Sequence, residues 1–547
     1  MPTSGAQVHG AASAVPAGAE PGPPAARGRG RLSRWQAARL LIVVASMSLT
    51  ALWIKVDRLP PAWDQSHYLD LALDLVKGFE EHGLRGLGHE VLTVDPQRAP
   101  LLPLALVPFF LLFGGSPQSG LLLNLLLWPI LLLSVGEIAS RLVDRRAGLL
   151  AMVVAATTPL IVGLSQQVLV EFLLISLTTL AVLLLLAVRD FADTRASILL
   201  GLVAGAGWLT KVTFPALIVG PIVVTACCTM VAVTREARSG RTGPALRRTR
   251  NAAIALLLGT ALPVCWYSQH WASTLQYFHD ATANTGAYGP TQPLRLEAIA
   301  CFTLGLINYH LSWVFALCGL AALALVLAGR ASGASRRAPR ESAGDLRRTV
   351  FLGSWVAAPY VAVATAHNQD PRFVAAAMPG VAVILSGLAV AIRWTAPRRL
   401  IVAAICVGGA VPILLTILPP IGGLPDRISV ATPFGPAALS VDAPAIGYYR
   451  RPEPTDDAMP IIEYLEAASR GAGGLAVRKV AIVQEHSSVN PNTFSYLAHL
   501  RGDPFTFDDP HGDRAHADGL RAELERHDFA LYIRPRRDPS SRRTPPD

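Results

Sequence analysis

The stretches LLLNLLLWPILLLSVG (121–136) and FLLISLTTLAVLLLLAV (172–188) decide the fold class. Neither contains a charged residue, and each approaches the ~20 residues that a helix needs to cross a bilayer. The whole chain agrees with them, since 52% of its 547 residues are hydrophobic, 16% are charged and the mean hydropathy is +0.40. Continuous apolar runs also exclude a membrane β-barrel, whose strands alternate in polarity. The sequence therefore predicts a polytopic α-helical membrane protein.

Charge and cysteine content narrow this class. The formal net charge is +10, but arginines cluster between apolar runs, as in RLVDRR (141–146), which favours orientation signals over nucleic-acid binding. None of the lysines stands in the Gly-Lys-Ser/Thr context of a phosphate-binding P-loop, so an ATP-driven pump is disfavoured. The 6 cysteines lie in or beside apolar segments without metal-ligand spacing. We expect no disulfide framework, metal or cofactor.

Hydropathy predicts about eleven transmembrane helices. Their ranges are 38–56, 119–139, 147–164, 168–188, 196–210, 212–232, 252–271, 306–328, 349–366, 373–392 and 399–418. With the basic N-terminal flank in the cytoplasm, the arginine-rich loops all fall inside. The first loop (57–118), the 272–305 and 367–372 loops and the C-terminus then fall outside. The spans on either side of Lys211 have almost no loop between them, and one continuous helix there would invert this sidedness.

Polar segments flank and interrupt this membrane domain. The apolar run 100–113 is short and holds 3 prolines, which favours a re-entrant or interfacial helix in the first external loop. The expected division is a disordered cytoplasmic tail (1–34), the transmembrane domain (35–420), a Pro/Gly-rich linker (421–455), a small extracytoplasmic α/β domain (456–535) and a disordered tail (536–547). In that domain, the sequence predicts strands at 477–486 and 529–535 and helices at 459–469 and 517–527. Low lysine and high arginine and alanine usage fits a high-GC bacterial genome, and we expect a multi-pass protein of the bacterial inner membrane.

The first external loop carries the most informative polar cluster, PPAWDQSHYLDLALDLVKG (60–78). Asp64 precedes a helical pattern in which Tyr68, Ala72 and Leu75 share one face. Asp64 is either a catalytic carboxylate or the N-cap of this helix, since aspartate is a favoured cap. Later in the loop, Arg98 either extends to the lipid headgroups or binds a phosphate, for which its forked guanidinium is suited.

Three further residues are candidates because ionisable groups near membrane helices are costly. Glu171 lies about one turn into an apolar helix, and it is either functional or a structural partner of Lys211. Lys211 ends the Gly-rich segment GLVAGAGWLTKVTF (201–214), on the same predicted side. Arg372 opens a helix after the short loop 367–372, and a plain loop is the alternative there.

These residues, in this order, resemble the GT-C membrane glycosyltransferases, in particular the protein O-mannosyltransferase and lipid A aminoarabinose transferase type (glycosyltransferase family 39-like). The resemblance covers roughly residues 35–420. It rests on Asp64 with Tyr68 and Ala72, Arg98-Ala99-Pro100-Leu101, Glu171, the Gly201 to Gly207 segment with Leu209-Thr210-Lys211, and Arg372-Phe373 before Pro379. The sequence departs from the family pattern at Gln65, which replaces a second acidic residue, at Ala99 and at Phe373. Loss of the second carboxylate argues against a metal site in the first loop.

The resemblance implies transfer of a sugar, with inversion, from a polyprenyl-phosphate donor to a protein, lipid or cell-envelope glycan acceptor at the external membrane face. Asp64 would be the general base, assisted by Glu171, and Tyr68, Arg98, Lys211 and Arg372 would bind substrate and lipid phosphate. A secondary transporter is the main alternative, although the long first loop, the absence of an evident repeat and the appended α/β domain disfavour it. A non-catalytic membrane scaffold is the other alternative.

Overall fold

The computed structural model describes residues 33–283, 290, 292–332, 343–417, 427–440, 458–471, 477–483, 489–510, 521 and 524–532. Both predicted tails lie outside these ranges, apart from Ser33 and Arg34, which begin the first helix. Most of the predicted helix at 517–527 also falls outside them.

Helices dominate the described chain, because long apolar runs in a bilayer must satisfy their backbone groups internally. In chain order they are α1 (Arg34–Val56), α2 (Asp64–Thr93), α3 (Leu101–Phe113), α4 (Pro117–Leu142), α5 (Arg145–Thr157), α6 (Pro159–Ser165), α7 (Val170–Ala187), α8 (Thr194–Trp208), α9 (Phe214–Arg238), α10 (Thr242–Ala283), α11 (Leu296–Gly305) with a π-helical continuation (Leu306–Leu311), α12 (Trp313–Ala331), α13 (Ala343–Ala364), a 3-10 segment (Pro371–Ala377), α14 (Met378–Ala391), α15 (Thr395–Ile417), α16 (Met459–Gly471) and α17 (Pro491–Arg501).

The multi-span architecture expected from the sequence is confirmed, but the count of eleven is not. Among the described residues, 8 helices are long and apolar enough to cross a membrane, or 9 if the pair α5 and α6, bent by 61°, is one span. Helices α8 and α13 occupy the two other predicted spans without reaching that length or hydropathy. The run 100–113 forms the short apolar helix α3.

The arginine-rich loops lie together at one end of the bundle, here called the arginine end (141–146, 189–195, 234–250 and 393–399). Arg248, at the start of α10, donates from Nη1 to the carbonyls of Arg189 and Asp190 at 2.8 Å and pairs with Glu236 of α9 at 3.1 Å. Arg347 of α13 pairs with Asp190. A cavity of about 350 Å³ is lined by Arg146, Arg398 and Arg399 together with apolar residues of α5, α14 and α15.

The junction at Lys211 reverses the chain. Helix α8 begins beside α10 at the arginine end, where Thr194 donates to Asn251 at 3.2 Å, and it ends at Trp208. Helix α9 starts at Phe214 and returns to the arginine end at Glu236. The two are therefore separate helices with Lys211 at the opposite end, as the predicted sidedness requires.

Close backbone approach holds α8 against α10. A Cβ added at Gly201 would lie 2.7 Å from the carbonyl oxygen of Ala255 and 2.8 Å from Cβ of Leu258. A Cβ at Gly205 would lie 3.0 Å from the carbonyl oxygen of Leu258. The Gly-rich segment therefore serves packing, and it fixes the helix that ends beside Lys211.

Small β-structures follow the membrane bundle. Strands β1 (Arg427–Thr432) and β2 (Gly435–Ser440) form an antiparallel hairpin within the stretch expected to be a linker. Strands β3 (Arg478–Ile482), β4 (Phe505–Asp508) and β5 (Phe529–Leu531) form a parallel sheet in the order β4-β3-β5. Together with α16 and α17 this sheet gives the α/β unit that the sequence indicated, including the predicted strands at β3 and β5.

Candidate active site

Asp64 lies at the first position of α2, at the end of the bundle opposite the arginine end. The preceding residue, Trp63, has φ 49° and ψ −117°, and no side-chain capping bond is made at this helix start. The Asp64 carboxylate instead accepts from two arginines, at 2.9 Å from Nη1 of Arg372 to Oδ2 and at 3.3 Å from Nη2 of Arg98 to Oδ1. The capping alternative is therefore wrong, and both carboxylate oxygens are directed to cations.

Arg98 is held by aromatic rings and by the fold of α2. Helix α2 bends at Gly83, where φ is 62°, and this bend brings the end of the loop back to its beginning. The guanidinium carbon lies 5.8 Å from the ring centroid of Tyr68 and 5.0 Å from that of Tyr277, and Nε donates to the Tyr277 hydroxyl at 3.4 Å. Such rings attract cations through their electron-rich faces. Tyr68, predicted as a substrate-binding residue, is buried and contacts Arg98.

Arg372 enters the site from the 3-10 segment that precedes α14. Asp370 caps this segment by accepting from the Arg372 backbone N–H at 3.0 Å, and its other oxygen lies 2.9 Å from Nε of Arg372. The side chain is thereby aimed at Asp64 from the opposite side to Arg98. The loop before α14 thus forms a turn that holds the Arg372 side chain in place.

Glu171 and Lys211 form the floor of the site. Lys211 donates from Nζ to Oε1 of Glu171 at 2.8 Å, and its Nζ lies 4.3 Å from the ring centroid of Phe373. Arg372 Nε lies 4.0 Å from the same Glu171 oxygen. The Glu171 side chain is 2% exposed, and its Oε2 makes no hydrogen bond to any described residue. The structural pairing with Lys211 is therefore present, and one carboxylate oxygen stays available.

Gln65, the departure from the family pattern, contributes to the same region. Its Oε1 accepts from the backbone N–H of Val168 at 3.2 Å, in the non-helical turn between α6 and α7. Asn124 donates to the carbonyls of Ser165 and Gln167 in that turn at 3.0 and 2.9 Å. These two amide side chains hold the turn from which α7 presents Glu171, so Gln65 has a positioning contact in place of an acidic one.

Some residues of the site were not predicted from the sequence. Tyr277 lies on the part of α10 beyond the predicted span 252–271, and its sequence context gives no signal. Asp370 stands two residues before Arg372, and its spacing before Pro371 is a helix-start pattern that could have indicated it. Asp95, three residues before Arg98 in the same loop, accepts from Nε2 of His67 at 2.9 Å.

The charges of the site are nearly balanced within it. Burial raises the pKa of Asp64, but Arg372 and Arg98 outweigh this effect and hold the pKa below its ordinary value. The carboxylate is therefore ionised at neutral pH. Because Arg98, Arg372 and Lys211 each already pair with a carboxylate, an incoming anion must exchange with one. Across the described ranges, no group of three or more His, Cys, Asp or Glu side chains has metal-binding geometry.

The arrangement is an ionised carboxylate clamped by two guanidiniums, beside a lysine, at one end of a membrane-spanning helical bundle. Comparisons with known proteins agree with this architecture. A family model described as dolichyl-phosphate-mannose-protein mannosyltransferase matches residues 97–242, a segment that contains Arg98, Glu171 and Lys211. A comparison with curated protein sequences finds no match.

One solved structure shares the overall fold of this chain, and two others are less similar to it. ArnT from Cupriavidus metallidurans bound to undecaprenyl phosphate is similar with a TM-score of 0.51 at 13% identity, over 89% of this chain and 88% of that chain. The apo form of that ArnT gives a TM-score of 0.45 at 13% identity, over 66% of this chain and 61% of that one. The oligosaccharyltransferase AglB from Archaeoglobus fulgidus, in complex with an inhibitory peptide and a dolichol-phosphate, gives a TM-score of 0.39 at 14% identity. The match covers 65% of this chain and 50% of that chain. The chain thus spans less than two thirds of these last two matches. The GT-C fold predicted from the sequence is confirmed.

Proposed function

We propose that this protein is a glycosyltransferase that moves a sugar from a polyprenyl-phosphate donor to an acceptor hydroxyl at the external membrane face. The observation that carries the proposal is the Asp64 carboxylate clamped between Arg98 and Arg372, with Lys211 beside them. The candidate general base therefore lies beside three cations that would bind the phosphate of a lipid-linked donor. Support for the donor class comes from the shared fold with a transferase whose structure holds undecaprenyl phosphate.

The donor phosphate would bind by exchange of partners. Arg98 and Arg372 approach Asp64 at 3.3 and 2.9 Å, and a phosphate between them would take over these charge-assisted hydrogen bonds. Asp64 would then lose the two cations that lower its pKa. Because a general base works best with a pKa nearer the working pH, donor binding would convert a weak base into a stronger one.

The chemical step would be a direct displacement with inversion at the sugar. The acceptor oxygen attacks the anomeric carbon as its proton passes to Asp64. The bond between that carbon and the phosphate oxygen breaks, and its electron pair leaves with the polyprenyl phosphate. Arg98, Arg372 and Lys211 would stabilise the negative charge that develops on this leaving group, which is the largest catalytic effect that such a site can supply.

Glu171 would assist by holding Lys211 in place. Its Oε1 accepts from Lys211 at 2.8 Å, and its second oxygen is buried and has no hydrogen-bond partner among the described residues. That free acceptor suits a sugar hydroxyl, because a buried carboxylate oxygen without a hydrogen bond is costly until a donor reaches it. The residue would thereby link the donor-binding cations to the sugar.

The test is transfer of labelled sugar from extracted lipid-linked donor by the purified protein and by Asp64→Asn. Asparagine keeps the size of the side chain but cannot accept the proton, so transfer should fall by ~10²- to 10⁴-fold. Donor binding should persist. Asp64→Glu should also be poor, since an added methylene displaces the carboxylate from its reacting geometry. An active Asp64→Asn protein would end the catalytic assignment, and a wild type that transfers nothing from any lipid donor would favour the scaffold alternative.

A further inference from the structure

Among the described residues, helix α17 of the α/β unit packs on α2 of the membrane domain. The hydroxyl of Thr493 donates to the carbonyl of Pro61 at 2.8 Å, and Ser66 of α2 donates to the same carbonyl. Both side chains are fully buried. Asn490 caps α17 by accepting from the Thr493 N–H at 2.9 Å, which fixes the start of the helix. A residue more than four hundred positions away therefore holds the backbone three residues before Asp64.

That backbone is in an unfavourable conformation. Trp63 has φ 49° and ψ −117°, in a region that bulky L-residues rarely adopt. Such a conformation is strained and persists only where its surroundings enforce it. On one side of Trp63 the backbone is held by the bonds to Pro61 and by a 3.5 Å bond from Nδ2 of Asn492 to the Trp63 carbonyl, and on the other side it is held by the start of α2. The conformation turns Asp64 toward Arg98 and Arg372.

We propose that Thr493 is a positioning residue, through which the C-terminal α/β unit sets the direction of the Asp64 carboxylate. The inference rests on the proposed function, since it assigns the α/β unit a part in the same reaction. Other bonds dock α17 farther from Asp64, with Tyr496 donating to the carbonyl of Gly115 at 2.6 Å and His499 paired with Asp70 at 2.7 Å. These bonds hold the unit on the membrane domain, whereas Thr493 acts on the turn that precedes Asp64.

Two variants of the full-length protein separate positioning from docking. Thr493→Val keeps the shape of the side chain but removes the hydroxyl on Pro61. Tyr496→Phe removes one hydroxyl bond from the same helix to the same domain, at a point remote from Asp64. Thr493→Val should lower kcat on the order of 10-fold, because small misplacements of a reacting group are costly, while KM for the lipid-linked donor stays unchanged. Tyr496→Phe should keep the wild-type kcat, and Thr493→Ser should restore most of it.

The pH profile gives a readout that loss of stability alone would not move. If Asp64 turns away from the two arginines, its pKa rises toward the ordinary value, so the acidic limb of kcat/KM moves to higher pH in Thr493→Val only. If Thr493→Val and Tyr496→Phe have equal kcat and equal acidic limbs, the positioning proposal is wrong. The proposed function is decided separately, by whether the wild-type protein transfers sugar. If Thr493→Val does not fold, Thr493→Ala, which removes the same hydroxyl with a smaller side chain, takes its place with the same expected outcomes.

Discussion

At the scale of single residues, the two guanidiniums on Asp64 set its protonation. Because they hold the pKa of Asp64 below its ordinary value despite burial, wild-type kcat/KM should stay flat down to about pH 5. In Arg372→Ala the largest lowering influence is lost and the pKa rises, so more of the carboxylate is protonated at a given pH. Its kcat/KM should therefore fall at a higher pH than in the wild type. The measurement is the pH dependence of kcat/KM, which reports groups of the free enzyme. Superimposable acidic limbs would show that Asp64 is not the titrating base.

The same arginine provides a test of donor recognition that is independent of catalysis. Arg372→Ala should weaken binding of a polyprenyl phosphate, and Arg372→Lys should recover only part of the loss, since an ammonium cannot make a two-pronged contact. Arg58→Ala is the matched control, because Arg58 is exposed at the same end of the bundle and, within the described ranges, bonds to the nearby Ile54 and Asp57 carbonyls. Binding can be followed by native mass spectrometry or by thermal shift in detergent. Equal binding of the polyprenyl phosphate by Arg372→Ala and Arg58→Ala would show that Arg372 does not recognise the donor and only lies at the membrane interface.

The site residues that could be predicted share one property: their residue type and their order along the chain indicate a functional site. Asp64, Arg98, Glu171, Lys211 and Arg372 each stand next to an apolar run, where an ionisable residue is costly and so draws notice. Tyr277 was not predictable, because aromatic residues are ordinary near membrane surfaces and its contact with Arg98 spans 179 residues. The pairing of Asp64 with both arginines also could not be predicted from the sequence, because it depends on how α2 bends and on where α14 starts.

At the scale of elements, the contact between α8 and α10 fixes the turn that carries Lys211. Gly201→Ala would place a methyl group 2.7 Å from the Ala255 carbonyl oxygen, so the two helices must separate. Overpacking of this kind costs about 1–3 kcal/mol. The separation should also disturb the bond from Tyr267 to the Trp208 carbonyl, 2.9 Å long, that holds the end of α8. We expect a lower thermal unfolding temperature and weaker donor binding.

Gly353→Ala is the control for this substitution, because a Cβ at Gly353, on the exposed side of α13, meets no atom within 4 Å. There alanine should leave stability unchanged or raise it slightly, since alanine is the better helix former. A Gly201→Ala protein as stable as Gly353→Ala would mean that the Gly-rich segment is not a close-packing device.

Elements with strong periodicity were predictable and short polar ones were not. The apolar helices, α16 and strands β3 and β5 follow from hydrophobic runs or alternation. The β1–β2 hairpin was missed because its Pro- and Gly-containing sequence resembles a loop. Part of its order comes from elsewhere in the chain, with Asn308 donating to the Pro436 carbonyl at 2.8 Å and accepting from the Ala438 N–H at 2.9 Å. Helix α17 was also not predicted. Its buried face packs against α2, and that contact with a distant part of the chain is not visible in its own sequence.

At the scale of the whole molecule, every site assignment depends on which end of the bundle faces out. Arginine-rich loops are retained in the cytoplasm during insertion, and the structure collects them at the end opposite Asp64. The α/β unit contacts α2 at the Asp64 end, through Thr493 and Tyr496. We therefore propose that the arginine end is cytoplasmic, which would place both the site and the α/β unit outside.

This orientation predicts the reactivity of single cysteines on a cysteine-free background. Gln97→Cys in the first loop and Thr506→Cys in the α/β unit, both at exposed positions, should react with an impermeant thiol reagent in intact cells. Ser239→Cys, exposed in the arginine-rich loop after α9, should react only after the membrane is permeabilised. Permeabilised cells serve as the control that all three thiols are accessible. Labelling of Ser239→Cys in intact cells, with protection of Gln97→Cys and Thr506→Cys, would place Asp64 in the cytoplasm. A lipid-linked donor on the external face could then not reach Asp64, and the proposed reaction would have to be abandoned for that compartment.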